Sequence, residues 1–345
     1  MTVNSSSPAL RGAVIGLGMI GRHHARLLQA SERVEFAGAV DGEGDRYGSV
    51  HDRGLVFGSI AELLDRQPAR PLDFAIAAVP TDAHLPVARE LMTAGVSVLV
   101  EKPLAGTVEA AEQIVELCES HQVYGAVGHV ERYNVALQEM RRRVVDGQLG
   151  RLFSVSAIRS GPFAGRVRDV GVVKDLATHD IDVMSWLCDS RITRLAAQTQ
   201  HLSGQEHEDL VLVTGALESG AAFNLVVDRV SPTKVRRTRV LGERGMLEAD
   251  TLTGDLYFYE NAEVGIAWST AQQFRGVSEG NVTRYALRRE EPLRVELETF
   301  LDLLGGDPTA DVVSLARGVE IVQIAETVIE SARSGQTLAT ALVSG

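Results

Sequence analysis

Short apolar runs alternate with amphipathic stretches over the first third of the chain. Ala13–Leu17 is apolar and ends in glycines, and a helical pattern follows to about Ala30. Val34–Val40 is apolar and stops at Asp41, and Gly54–Phe57 is a third short run. Ser59, with Glu62 three positions on, has the form of a capping box at a helix start. Leu72–Val79 is apolar throughout, as in a strand covered on both faces. Thr81 is placed to cap the next helix, which ends near Gly95. Val96–Val100 leads into Glu101, Lys102 and Pro103, Thr107–His121 is helical, and Val123–Val127 is a sixth run. Strict alternation of strand and helix with continuous apolar strands predicts a parallel, doubly wound sheet. Six strands of this kind fill a dinucleotide-binding domain of about 125 residues.

The pattern then changes. Asn134–Asp146 reads as one helix. From Leu152 to Glu260 the apolar runs lengthen: Leu152–Ile158, Ile192–Gln200, Leu210–Leu217, Ala221–Val230, Val235–Leu241 and Leu256–Tyr259. Turn-forming residues join them at Glu218–Gly220, Gly242–Gly245 and Thr253–Asp255, which are hairpin signals. One helix, about Asp175–Leu187, interrupts the series, and two helices, about Leu293–Leu304 and Ser314–Ser334, close it. The expected class is α/β, with an N-terminal doubly wound parallel sheet over residues 1–125. A C-terminal α/β domain with a large open, mostly antiparallel sheet is expected over residues 126–345.

Composition narrows the function. The 345 residues are 45% hydrophobic and 23% charged, which is ordinary for a globular chain and rules out overall disorder. The formal net charge of -12 argues against nucleic acid and anionic membranes as partners. It does not exclude a small anionic ligand, for which a few local arginines suffice. Cys118 and Cys188 lie in apolar, helix-like surroundings without a CxxC spacing, so buried reduced thiols in a reducing compartment are expected. Met1–Pro8 is polar and lacks the basic and apolar regions of a signal peptide. No run reaches the roughly 18 apolar residues of a membrane span. A cytoplasmic location is expected.

Gly16-Leu17-Gly18-Met19-Ile20-Gly21 is a GxGxxG motif that follows the first strand and opens the first helix. The first glycine permits a tight turn, the second lets the backbone approach a pyrophosphate, and the third allows close helix packing. Unpaired N–H groups at the helix start then face the phosphate. Asp41 lies 20 residues past Gly21 at the end of the second strand, where a carboxylate binds a ribose diol and repels a 2′-phosphate. This favours NAD over NADP, although Arg46 nearby is a possible phosphate partner. His23 and His24 follow the turn, either on the helix surface or, for His24, near the pyrophosphate.

Two further segments carry chemistry. Lys102 ends the fifth strand, at the edge where open α/β sheets bind ligands, and Pro103 stiffens the chain after it. An ordinary surface lysine would look the same. Asp175 and His179 are i,i+4 on a predicted helix and share a face, with Asp182 on that side. Alcohol oxidation requires a base for the hydroxyl proton and a cation for the developing alkoxide, which a histidine among carboxylates and a lysine supply. Metal binding is the competing chemistry, but this stretch holds one histidine and no cysteine. No metal is expected.

The motif order GxGxxG, then AxPTDxH at Ala78–His84, EKP at Glu101–Pro103 and DxxxH at Asp175–His179 resembles the glucose–fructose oxidoreductase/inositol dehydrogenase (Gfo/Idh/MocA) family over nearly the whole chain. The resemblance implies a Rossmann domain, a second domain built on an open sheet, and NAD(P)-dependent hydride transfer on sugars or polyols. It also implies homodimers or homotetramers formed through the open sheets. It places Lys102, Asp175 and His179 at the catalytic positions. Gly16, Gly18, Met19, Ile20, Gly21, Asp41, Val79, Pro80, Thr81, His84, Glu101 and Lys102 take cofactor-lining positions. Many members have glycines before the aspartate and a glycine two before the histidine; here the stretch is Gly171-Val172-Val173-Lys174-Asp175-Leu176-Ala177-Thr178-His179. With Gly128–Asn134 and Gly161–Phe163, it resembles the branch that acts on nucleotide-activated sugars. A diphosphate-bearing substrate needs local cations. Arg159, Arg166, Arg168 and Lys174 flank the catalytic segment, and Lys234, Arg236, Arg237 and Arg239 form a second group. Arg132 and Asn134 are candidates for sugar contacts, and a helix cap is an equal reading of Asn134. A free polyol as substrate and a non-catalytic NAD-binding regulator are the alternatives.

Overall fold

A computed structural model describes residues 9–66, 70–162, 170–204, 206–261 and 279–340. The chain divides into two compact units: residues up to Val130 together with Leu293–Val322, and Glu131–Pro292 together with residues from Gln323 onward.

The first unit carries Leu10–Ile15 (β1), Gly21–Ala30 (α1), Val34–Val40 (β2), Val56–Phe57 (β3), Ile60–Asp65 (α2), Phe74–Ala77 (β4), His84–Thr93 (α3), Ser97–Glu101 (β5), Val108–His121 (α4) and Gly125–Gly128 (β6). The six strands are parallel in the order β3-β2-β1-β4-β5-β6. Successive residues of a strand point to opposite faces. On β4 and β5, Ala75, Ala77, Val98 and Val100 accordingly enter one core with Leu91 and Met92 of α3 and Ile114 of α4. Phe74, Ile76 and Leu99 enter the other with Leu27 and Leu28 of α1. This double cover is why these strands read as unbroken apolar runs.

The second core is completed from far along the chain. Pro292–Leu304 (α7) contributes Leu293, Leu297, Phe300 and Leu301 to it. Phe300 meets Phe74 edge to face, with centroids 5.9 Å apart. The division at residue 125 into two contiguous domains is therefore corrected: residues 293–322 return to the first unit. An amphipathic helix shows only that it has an apolar face, not which core that face fills. Leu315–Ser334 (α8) begins in the first unit and continues into the second.

In the second unit, Val135–Val145 (α5) and Thr178–Cys188 (α6) accompany a sheet of Leu152–Ser160 (β7), Ile192–Gln200 (β8), Leu210–Leu217 (β9), Ala222–Asp228 (β10), Val235–Gly242 (β11), Gly245–Asp250 (β12), Asp255–Asn261 (β13), Glu279–Tyr285 (β14) and Leu338–Ala339 (β15). The order is β14-β13-β12-β11-β7-β10-β9-β8-β15, antiparallel except for the parallel pair β7–β10. Its strands alternate: Val155, Ala157, Val211, Val213, Phe223 and Leu225 are buried, while Leu212, Thr214, Ala222 and Asn224 are exposed. The α/β class and both sheets agree with the sequence pattern. β12, β14 and β15 were not foreseen. In β12 the run Leu247-Glu248-Ala249 is buried without a break, so alternation gives no signal there.

Two local expectations resolve differently. Ser59 Oγ accepts from Glu62 N at 3.2 Å, but Glu62 Oε2 accepts from Gly58 N rather than completing the box on Ser59. Thr81 does not cap α3; it opens a 3-10 turn, Thr81–Ala83, and α3 starts at His84 without a side-chain cap. Among the described residues no helix is long and apolar enough to cross a membrane.

Candidate active site

The carboxyl ends of β1, β2, β4 and β5 gather the first set of residues. The order reverses between β1 and β4, the position at which open parallel sheets bind ligands. Gly16 has φ +94°, and a Cβ on it would lie 2.4 Å from Ala78 O, so neither the turn nor its neighbour tolerates a side chain. A Cβ on Gly21 would sit 1.9 Å from Gly16 O. A Cβ on Gly18 would meet nothing within 4 Å among the described residues. The outer glycines are thus required by the fold, while the middle one leaves open space over the backbone. Met19 and Ile20 are exposed beside it, 45% and 36%, and Ile20, at the cap position of α1, makes no side-chain cap hydrogen bond. These features fit a dinucleotide pyrophosphate held by backbone N–H groups.

Asp41 follows β2. Its Oδ2 accepts from Leu17 N at 2.8 Å, tying the glycine turn to the strand end, and its Oδ1 accepts from Glu43 N at 2.9 Å. A carboxylate offers about four acceptor sites, so capacity remains for a ribose diol. Arg46 pairs with Glu43. Val79, Pro80 and Thr81 follow β4, with Pro80 exposed.

His84 and Glu101, expected to line the cofactor, are buried structural groups. His84 Nδ1 faces the carbonyls of Pro103 and Leu104 at 3.0 and 3.2 Å, and Nε2 faces that of Val79 at 3.0 Å. The imidazole fastens the loop after β5 to the end of β4, and burial lowers its pKa despite these carbonyls. Glu101 Oε1 is 2.8 Å from Nε2 of His24, and Oε2 accepts from Lys102 N at 3.2 Å. His24 is fully buried, which places it in this pair rather than at a pyrophosphate. Burial alone would raise the Glu101 pKa; the His24 bond and the charges of His24 and Lys102 outweigh it, so the carboxyl is held below its ordinary range. Lys102, half-buried at the end of β5, inherits this anchoring through its own backbone N–H.

Glu296 of α7 completes the cluster and was not foreseen. It is 1% exposed, and neither carboxyl oxygen has a hydrogen-bond partner among the described residues. One donor atom each of His24, Glu101 and Glu296 lie within 4.8 Å of one another. Burial, then the Glu101 charge, raises the Glu296 pKa well above the ordinary value. Two carboxyls pushed apart in this way settle as one anion and one neutral acid. The sequence signal was a glutamate on the apolar stripe of Leu293, Leu297, Phe300 and Leu301.

The second unit gathers the other set. Lys174 and Asp175 lie in a π-helical stretch, Val173–Ala177, and His179 stands in the first turn of α6, 9% exposed. The expected single regular helix is corrected: i→i+5 turns widen the backbone before His179, and such turns are frequent at functional sites. Thr178 Oγ1 donates to Lys174 O at 3.1 Å across the junction.

Several expected substrate contacts have structural partners instead. Arg132 donates through Nε and Nη2 to both oxygens of Asp182, at 2.6 and 2.5 Å, and lies over the Trp186 ring. It is 7% exposed, so its fork holds α6 rather than a sugar. Asn134 caps α5, its Oδ1 accepting from Ala136 N at 3.0 Å while Nδ2 donates to Thr251 O at 3.1 Å. Arg159 is buried between Asp180 and Glu131. Burial works against its charge, but the two carboxylates raise its pKa. In the second basic group, Arg237 and Arg239 pair with Glu248, and Arg236 donates to the carbonyls of Ser160 and Val235. Arg166 and Arg168 lie outside the described residues.

Both units resemble known proteins. Residues 10–129 match the oxidoreductase family with an NAD-binding Rossmann fold, and residues 137–248 match the GFO/IDH/MocA C-terminal domain. The chain is 31% identical over 308 residues to myo-inositol dehydrogenase Hyg17 of Streptomyces leeuwenhoekii, covering 86% of this chain and 89% of that protein. It is 28% identical over 302 residues to UDP-N-acetylglucosamine 3-dehydrogenase of Acidithiobacillus ferrooxidans, covering 86% and 88%. A solved structure of UDP-N-acetylglucosamine 3-dehydrogenase GnnA from Acidithiobacillus ferrooxidans superposes with a TM-score of 0.80 at 24% identity, covering 95% of this chain and 99% of that one. The WlbA dehydrogenase of Bordetella pertussis, solved with NADH and UDP-GlcNAcA, superposes at 0.76 with 21% identity, covering 96% and 100%.

Proposed function

The chain belongs to the GFO/IDH/MocA oxidoreductase family, and from that premise we propose that it oxidises a secondary hydroxyl of a nucleotide-linked sugar to a ketone with NAD. The observation that carries the dehydrogenase reading is the glycine turn: its outer positions are sterically closed to side chains and its middle position is open. Asp41 at the end of β2 and the pairing of Arg46 with Glu43 support NAD over NADP. The likeness to UDP-N-acetylglucosamine 3-dehydrogenase supports the nucleotide-linked substrate.

The bound nicotinamide supplies the hydride acceptor. The roles of the chain's own residues follow from their types. His179 takes the hydroxyl proton as general base, since imidazole is the side chain that titrates near neutrality. Asp175 orients the imidazole and stabilises its cation. Lys102 stabilises the alkoxide with its ammonium charge. Lys174, Arg166 and Arg168 are assigned to the diphosphate.

NADH formation followed at a panel of UDP-, GDP- and dTDP-sugars beside free polyols tests the reading. Lys102→Ala and His179→Ala are each expected to lower kcat by about 10²–10⁴-fold with NAD binding kept. Undiminished turnover in both would remove the role assignment. The 31% identity to a myo-inositol dehydrogenase favours a second reading, a free inositol-type polyol as substrate. Arg166→Glu with Arg168→Glu separates the two: KM rises for a UDP-sugar and stays unchanged for a polyol. We also propose a homodimer or homotetramer formed through the open sheet. Ile158, Val226 and Leu212 stand in one row across β7, β10 and β9, with Ile158 and Leu212 exposed. Leu212→Glu should shift the mass measured by light scattering to that of a monomer.

A further inference from the structure

The helical stretch bearing Lys174, Asp175 and His179 starts without a cap from its own sequence: Val172, at the cap position, makes no side-chain hydrogen bond there. The cap comes from 35 residues away. Glu208 Oε1 accepts from Val173 N at 2.9 Å, and the Glu208 carbonyl accepts from Val172 N at 3.1 Å. The carboxylate fits there because position 171 is glycine. A Cβ on Gly171 would lie 1.9 Å from Glu208 Oε1 and 2.1 Å from Oε2.

Glu208 is itself held. Its neighbour Asp209 is fully buried and accepts from Leu202 N and Ser203 N, both at 2.7 Å, which closes the loop between β8 and β9. Arg229 Nε donates to Asp209 Oδ1 at 2.7 Å, and Arg229 Nη1 donates to Val170 O at 3.2 Å. Burial would raise the Asp209 pKa, but the backbone N–H donors and Arg229 hold it far below the ordinary range, so this anchor stays ionised. Residues 208, 209 and 229 therefore form a bracket that grips Val170, Val172 and Val173, immediately before Lys174 and Asp175.

We infer that Glu208 is a positioning residue for the catalytic helix. Its carboxylate fixes the first turn and so sets the placement of Asp175 and His179. The inference rests on the assignment of those two residues to catalysis.

Two independent readouts test it in the full chain. Hydrogen exchange over residues 170–180 needs no substrate. Glu208→Ala is expected to speed exchange of the Val172 and Val173 amides at least about tenfold, leaving the first unit unchanged. Turnover is read with NAD and UDP-N-acetylglucosamine, or with myo-inositol if only that is oxidised. Glu208→Ala should lower kcat by about 10²-fold, the cost of a misplaced catalytic group, with the KM for NAD held. Gly171→Ala, whose methyl takes the carboxylate's place, should match it. Glu208→Gln keeps an acceptor oxygen and should recover most of the loss, whereas Glu208→Asp is too short to do so. If Glu208→Ala does not fold, the Gln and Asp variants carry the comparison. Unchanged exchange at Val172 and Val173 overturns the inference. So does wild-type kcat in Glu208→Ala, or in Glu208→Asp, where His179→Ala is inactive. If His179→Ala remains active, the catalytic assignment fails instead, and the exchange readout still decides the bracket.

Discussion

Glu296 holds its proton to higher pH than an ordinary glutamate, because burial and the ionised Glu101 both oppose its anion. In the unfolded chain it titrates near about 4.3. Above that pH the folded state keeps a proton that the unfolded state releases, so this group makes stability fall as pH rises towards its folded pKa. The contribution is at most about 1.4 kcal/mol per pH unit. Glu296→Gln should flatten this slope in urea unfolding as pH rises above about 5. Glu296→Met, which removes a buried acid with no hydrogen-bond partner among the described residues, should stabilise by about 1–3 kcal/mol. A steeper slope in the Gln variant would contradict the assignment of the proton. Residue chemistry was legible in the sequence where it depends on near neighbours: the glycines of the turn, and Asp41 at a strand end. It was not legible where the partner is distant. Arg132 reads as a sugar contact until Asp182, 50 positions on, is seen to fill its fork.

At the scale of elements, the glycine turn separates two kinds of constraint. Gly21→Ala forces a methyl against Gly16 O and should cost about 1–3 kcal/mol of stability as well as NAD affinity. Gly18→Ala adds a methyl in open space. It should leave the melting temperature unchanged and still raise the Kd for NAD measured by calorimetry, because the methyl occupies the side a pyrophosphate approaches. Equal melting losses in both variants would refute the distinction. Strand and helix identities were readable because the central strands of the first sheet, β4 and β5, are buried on both faces. The π-helical turns before His179 were not, since an i,i+4 pattern on paper assumes the regular helix that this segment departs from. Nor was its cap, because Glu208 reaches it from the loop between β8 and β9.

At the scale of the whole molecule, the first unit depends on α7. Phe300 is fully buried against Phe74, so Phe300→Ala should cost about 3–5 kcal/mol, read by denaturant unfolding. A fragment of residues 1–130 should bind NAD poorly, and one that adds residues 293–322 through a flexible linker should recover binding. Equal NAD affinity in the two fragments would show that α7 is dispensable. The same return of the chain sets a schedule for biosynthesis. Residues 131–292, 162 in all, lie between the two segments of the first unit, the second of which carries α7. At about 5–20 residues per second of translation, the six strands wait roughly 8–32 s on the ribosome with one face covered by α1 but not yet by α7. Nascent chains should therefore recruit a chaperone through that face, and release from it should coincide with the emergence of α7.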